Sequence, residues 1–191
     1  MTAVRHTAHP VAFVTLELTG RCNLTCGHCF ADSGPSRPAR TITVRDWGHV
    51  IGEVFSLGVR TVQFIGGEPT LQCACAHVRH GVAAGPHADV FSNLGRVTPA
   101  QRDALSLPGV SLATSWCSAD LKVHAQATDR WAAQAGTKAN LAEAVRRGIL
   151  LRAGMVDVAG REHARAGRAE LAAGAMPARS GAGRQRGSSA A

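Results

Sequence analysis

The sequence predicts an α/β fold, a parallel sheet curved into a partial (β/α) barrel with about five recognisable strand–helix units. Three observations carry that reading. Five short apolar, β-prone runs recur between Val11 and Val156. Segments with helical periodicity or helix-capping residues separate them. Cysteine or polar residues follow directly on four of the five runs, where the carboxyl ends of parallel strands gather chemistry.

The elements follow in order. Val11–Leu18 is the first strand, apolar and rich in β-branched residues. A cysteine-bearing loop and a Pro/Ser/Arg-rich connector from Asp32 to Arg40 come next. Thr43 with Asp46 three residues later forms a capping-box pattern. Behind it, Trp47, Val50, Ile51, Val54 and Phe55 recur at helical spacing, and Gly58 is the stop. Thr61–Ile65 is the second strand and runs into Gly66-Gly67. A helix is expected from about Leu71 to Ala84, and Ala88–Phe91 is the third strand. Thr98, Pro99 and Gln101 supply a cap, a first-turn proline and a capping partner for a short helix. Val110–Thr114 is the fourth strand. A long loop is expected after it, then a helix capped by Thr137 and stopped by Gly148, then a fifth strand over Ile149–Val156.

With 191 residues the chain suffices for one domain with a core. Residues 1–10 read as an N-terminal extension, 11–158 as the core domain and 159–191 as an Arg/Ala/Gly-rich tail. From about 177 the tail lacks large apolar residues, and disorder is expected there. No sixth strand is visible, so the C-terminal end of the barrel reads as truncated or degenerate. Hydrophobic residues make up 45% and charged residues 18%, a globular profile. No apolar run is long enough to span a membrane, and the N-terminus lacks a signal-peptide core, so a cytoplasmic location is expected.

The net charge of +8 raises the question of nucleic acid. Six arginines from Arg161 onward, against only Glu162 and Glu170, account for half of it. Aromatic residues are only 4% and do not interleave with basic runs. Nucleic-acid binding is therefore not expected, and a solvated basic surface is.

Cysteine placement is more informative than cysteine number. Cys22-Asn-Leu-Thr-Cys26-Gly-His-Cys29 brings three thiols into eight residues, while Cys73, Cys75 and Cys117 stand apart and read as buried or free thiols. Iron–sulfur clusters are usually held by four cysteine thiolates. Three in one loop would leave one iron of a cubane open to another ligand. A zinc site using Cys22, Cys26, Cys29 and His28 is the competing reading, although zinc motifs usually carry a second ligand pair farther along.

The C-x3-C-x2-C spacing after a first strand resembles the radical S-adenosylmethionine (radical SAM) superfamily. Gly66-Gly67-Glu68-Pro69, at the end of the second strand, matches that family's second motif letter for letter. The pattern is nearest the peptide- and protein-modifying branch, without its cysteine-rich C-terminal auxiliary-cluster domain. The resemblance implies a [4Fe-4S] cluster on Cys22, Cys26 and Cys29. Its open iron would be chelated by the amine and carboxylate of S-adenosylmethionine, whose reductive cleavage yields a 5'-deoxyadenosyl radical for hydrogen abstraction. It implies His28 near the adenine, with Gly66, Gly67, Glu68 and Pro69 around the methionine amino group. Ser92, Asn93 and Ser115 would be polar residues near the cofactor, and Arg130 a clamp on its carboxylate. Ser92 and Ser115 also read as strand-end turn residues, and His124 as a surface histidine. Phe30, Trp116 and Trp131 are candidates for the substrate mouth, though aromatic residues are more often core. The implied partners are an external electron donor, a peptide or protein substrate, and a partner chain or second copy completing the barrel. The alternative is a degenerate relative that binds an iron–sulfur cluster or zinc without turnover.

Overall fold

The structure is a computed structural model and describes residues 11–39, 42–72, 74–85, 87–117, 121–128 and 133–154. Five strands form one sheet: β1 (Phe13–Glu17), β2 (Thr61–Ile65), β3 (His87–Phe91), β4 (Val110–Ser115) and β5 (Leu150–Gly154). Their order is β1-β2-β3-β4-β5 and every pairing is parallel. The helices are α1 (Val44–Ser56), α2 (Ala74–Ala84), α3 (Pro99–Leu105), α4 (Leu121–Thr128) and α5 (Ala133–Arg146). β1 and β5 are the sheet's edges and do not pair with each other, so among the described residues the barrel is open. The tail and the absence of a sixth strand, both expected from sequence, concern residues outside that range. No described helix is long and apolar enough to cross a membrane.

Sequential strand order has a direct consequence. Parallel crossovers are right-handed, so stepping always in one direction puts every connecting segment on the same side of the sheet. That side is apolar. Leu16, Val62, Phe64, Val90 and Leu112 face it, and Trp47 and Ile51 of α1, Val78 of α2, Leu105 of α3 and Leu141 of α5 pack there as one core. The opposite side carries the alternate residues of each strand. Gln63, Asp89 and Ser111 lie in register across β2, β3 and β4.

Local chemistry explains the element ends. Both capping boxes form: Thr43 Oγ1 accepts from the Asp46 amide at 3.2 Å, and Thr98 Oγ1 from the Gln101 amide at 3.3 Å. Gly58 and Gly148 sit at φ +80° and +69° where α1 and α5 end, a conformation that glycine adopts without penalty.

Three expectations need correction. The helix placed over Leu71–Ala84 is two pieces, a 3₁₀ turn at Pro69–Leu71 and then α2. The long loop after the fourth strand contains α4. Thr137 does not cap a helix. It lies inside α5, is buried, and donates its hydroxyl to the Asn93 carbonyl at 2.8 Å.

Candidate functional site

β1 delivers the chain to Thr19, and the cysteine loop begins there. The loop closes on itself through backbone bonds. The Cys22 amide donates to the Gly34 carbonyl at 3.1 Å and the Cys29 amide to the Cys26 carbonyl at 3.1 Å. Amides also point at sulfur. Leu24 N–H lies 3.4 Å from Cys22 Sγ, and Ser33 N–H lies 3.3 Å from Cys29 Sγ. Such donors stabilise a thiolate.

The three thiols influence one another. Burial, and then the proximity of Cys117, Cys22 and Cys29, pushes the Cys26 thiol up to about 12. Burial likewise raises Cys22, reinforced by the Glu68 and Cys29 charges and opposed by the Leu24 amide. Burial therefore favours the protonated form of the Cys22 and Cys26 thiols, and loading a metal centre there must release protons. Among the described residues, no three Cys, His, Asp or Glu side chains converge tightly enough to hold a single metal ion. The thiols are neighbours in a loop, and no single-ion cage is prearranged.

The Gly66–Pro69 turn lies directly against this loop. Gly67 N–H donates to the Thr19 carbonyl at 2.6 Å, and Glu68 N–H to the Arg21 carbonyl at 2.8 Å. A Cβ on Gly66 would stand 2.5 Å from the Thr19 carbonyl oxygen, and one on Gly67 would overlap the Arg21 carbonyl. Gly66 also has φ +141°. Both positions thus require glycine so that the end of β2 can lie against the chain entering the cysteine loop.

Glu68 is the centre of the arrangement. It is 1% exposed. Its Oε1 accepts from Thr70 N–H at 3.0 Å, Thr70 Oγ1 at 2.7 Å and Ser92 Oγ at 2.8 Å. Among the described residues its Oε2 accepts only from the Asn93 amide, at 2.8 Å. Burial raises the carboxyl above its ordinary value, and the Thr70, Asn93 and Ser92 donors oppose that rise. No described cation pairs with it. A buried carboxylate with four neutral donors and no counter-charge is suited to a cationic ligand.

Asn93 joins the two halves. Its Nδ2 donates to Asn23 Oδ1 at 2.8 Å and approaches Cys22 Sγ at 3.8 Å, while its backbone amide holds Glu68. Ser92, 1% exposed, both holds Glu68 and accepts from the Leu94 amide at 3.0 Å. Pro69 is buried at the start of the 3₁₀ turn that Glu68 caps. Ser115 ends β4 opposite Gly154 of β5, half-buried at the same end of the sheet. Arg130 and Trp131 lie outside the described residues.

Sequence reasoning gave Thr70 and Cys117 no place at the site and put His124 on the surface. Thr70 anchors Glu68 twice. Cys117, half-buried two residues past β4, brings its Sγ to 3.8 Å from His28 Nε2, and burial lifts its thiol to about 11. Its place after a strand end was the available signal. His124 is no surface histidine: it is buried, with its ring 5.7 Å from that of Trp116. Trp116 is itself buried, whereas Phe30 is exposed. Cys75 turns away from the loop, its Sγ 3.9 Å from the Ala100 carbonyl.

Residues 16–98 match the model of the radical SAM superfamily, a span that contains the cysteine loop, Glu68 and Asn93. Over that span the chain is similar to the radical SAM superfamily. Among curated relatives, an AdoMet-dependent heme synthase from Methanosarcina barkeri is 34% identical over 113 residues, covering 58% of this chain and 32% of the relative. A PqqA peptide cyclase from Rhodopseudomonas palustris is 30% identical over 99 residues, covering 51% of this chain and 26% of the cyclase. Among solved structures, Streptococcus suis SuiB bound to its precursor peptide SuiA superposes with a TM-score of 0.70 at 18% identity, over 79% of this chain and 34% of SuiB. The chain thus spans about a third or less of the lengths of these relatives, and the SuiB likeness extends to the fold alone.

Proposed function

We propose that this chain is the cofactor-binding core of a radical SAM enzyme acting on a peptide or protein substrate. The observation that carries the proposal is Glu68, a buried carboxylate that no cation pairs among the described residues, tied through Asn93 to the cysteine loop. The residues fit the implied cofactors. Cys22, Cys26 and Cys29 would hold a [4Fe-4S] cluster, with amides already aimed at two of the sulfurs. Glu68 Oε2, with a single donor, would accept from the ammonium of S-adenosylmethionine, helped by the backbone of Gly66 and Gly67 beside Pro69. By the resemblance, Ser115 would face its ribose or carboxylate, Arg130 would hold its carboxylate, and His28 would lie near its adenine. Bound together, cluster and S-adenosylmethionine supply one-electron reductive cleavage of the sulfonium for hydrogen abstraction, the electron coming from an external donor.

The chain's own residues set the conditions for that chemistry. Ser92 and Thr70 hold the Glu68 carboxylate through one oxygen, and among the described residues the other accepts from the Asn93 amide alone. Asn93 and the Leu24 amide lower the cost of a thiolate at Cys22. The name of one relative, the PqqA peptide cyclase, supports the substrate class.

The test is Glu68→Gln in anaerobically reconstituted protein. The cluster should load as in the unmodified chain, and the change that S-adenosylmethionine makes to the electron paramagnetic resonance spectrum of the reduced cluster should need higher ligand concentration. Loss of one hydrogen bond to a charged group corresponds to about 1.5–3 kcal/mol. An unchanged affinity would remove Glu68 from the site.

A further inference from the structure

The sheet face opposite the helices carries a polar cluster that the cofactor site does not use. Asp89, in the middle of β3, is 6% exposed. Its Oδ2 accepts from Gln63 Nε2 of β2 at 2.7 Å and from Arg152 of β5 at 3.0 Å, and its Oδ1 accepts from Ser111 Oγ of β4 at 2.6 Å. Since Ser111 gives its one hydroxyl proton to Asp89, His87 Nε2, 2.8 Å from that oxygen, is the donor to it. Four strands therefore contribute to holding one carboxylate.

Burying a carboxylate is an expensive way to stabilise a sheet, and apolar residues of similar volume often do so as well or better. The helix-covered face of this same sheet is built that way. What the cluster achieves is to aim Arg152. One terminal nitrogen of its guanidinium is held by Asp89, and its central carbon lies over the Phe91 ring, 5.9 Å from the ring centre. Its side chain remains 59% exposed, and its other nitrogens make no further bond within the described structure. Arg152 stands two residues before Gly154, the partner of Ser115, so it lies roughly 7 Å below the cofactor end of the sheet. A guanidinium held at one nitrogen beside a ring still presents its remaining N–H groups as a planar fork suited to a carboxylate.

We propose that Arg152, aimed by Asp89 and Phe91, is a substrate-binding residue that receives the carboxylate of an acidic residue in a peptide substrate. The peptide part rests on the proposed function above; the anion part rests on the geometry alone.

The experiment uses the full chain with its cluster reconstituted and its arginines labelled with ¹⁵N. The probes are a capped pentapeptide with a central glutamate, its glutamine twin, and inorganic phosphate. The Nε–Hε resonance of Arg152, assigned by its loss in Arg152→Gln, should move with the glutamate peptide at a concentration at least ~tenfold lower than with the glutamine twin, the ratio expected for a charge-assisted hydrogen bond. Arg152→Gln should bring both peptides to the same weak level, and Arg152→Lys, which keeps the charge, should fall between. Equal affinity of the two peptides for the unmodified chain overturns the proposal. Tighter binding of phosphate than of the glutamate peptide overturns the peptide assignment in favour of a phosphorylated ligand. Iron content and the spectral response to S-adenosylmethionine are read on the same sample. If both are intact and the arginine shift is absent, only this inference fails; if no cluster forms and the shift persists, the radical SAM reading fails instead.

Discussion

Gly67 shows at single-residue scale why the second motif has no freedom to vary. Its missing side chain is what lets the β2 turn donate to Thr19 and Arg21. Gly67→Ala is therefore expected to destabilise the chain by at least about 1–3 kcal/mol, the usual cost of forcing extra volume into a packed site. Thermal unfolding measures it, and an unchanged midpoint would mean that the turn relaxes without cost. The four residues of the motif were legible because two glycines, an acid and a proline after a β-prone run are a local pattern. The purpose of the glycines was only half legible. Sequence suggested close approach to a ligand, whereas the approach filling the space beside them is to the chain's own backbone. Thr70, Asn23 and Cys117 were harder to see because their roles depend on which loops meet, and no local pattern encodes that.

The cysteines give the second residue-scale prediction. Alanine at Cys22, Cys26 or Cys29 should abolish the iron–sulfur chromophore. Alanine at Cys75 or Cys117 should leave it, since Cys75 packs toward Ala100 and Cys117 sits outside the loop beside His28. Iron and sulfide analysis of each variant decides this, and loss of iron in Cys117→Ala would make that residue a ligand.

Among the elements, α5 carries a charge arrangement with a readable pH signature. Glu143 accepts from Arg146 at 2.7 and 2.8 Å and from Arg147 at 2.6 Å. Those hydrogen bonds hold its carboxyl down to about 2, against an ordinary value of 4.5. The sign follows from the lowered value: the folded state prefers the charged form. The contribution to stability is complete above the ordinary value and is lost as pH falls toward about 2. Titration followed by carboxyl nuclear magnetic resonance should find the Glu143 midpoint well below that of an unpaired glutamate, and a midpoint near 4.5 would break the assignment. Helix starts with capping boxes, at Thr43 and Thr98, were legible because the motif is short and local. α4 was not, since Leu121–Thr128 lacks a strong apolar stripe, and the burial of His124 could not be read without it. Thr137 was mistaken for a cap because a threonine ahead of apolar helical spacing carries that signal. Here its hydroxyl instead spans to the Asn93 carbonyl.

Across the whole molecule, five parallel strands in sequential order divide the sheet into a helix-packed apolar face and a polar face with Asp89 at its centre. The fold class was legible because alternation of strand and helix signals fixes a parallel sheet, and sequential order then follows from short right-handed crossovers. The polar cluster was not, since Gln63, Asp89, Ser111 and Arg152 are far apart in sequence and meet only through register. The cysteine loop, the Gly66–Pro69 turn and the Ser92-Asn93 corner all lie at the carboxyl ends of β1, β2 and β3. That convergence is the basis for reading one cofactor site. Quantifying 5'-deoxyadenosine tests it most directly. The chain is reconstituted anaerobically with iron and sulfide, reduced, and given S-adenosylmethionine. The account predicts that 5'-deoxyadenosine accumulates with time and is absent from the Cys26→Ala variant. A protein that takes up about four irons yet forms none above that variant's background would contradict it.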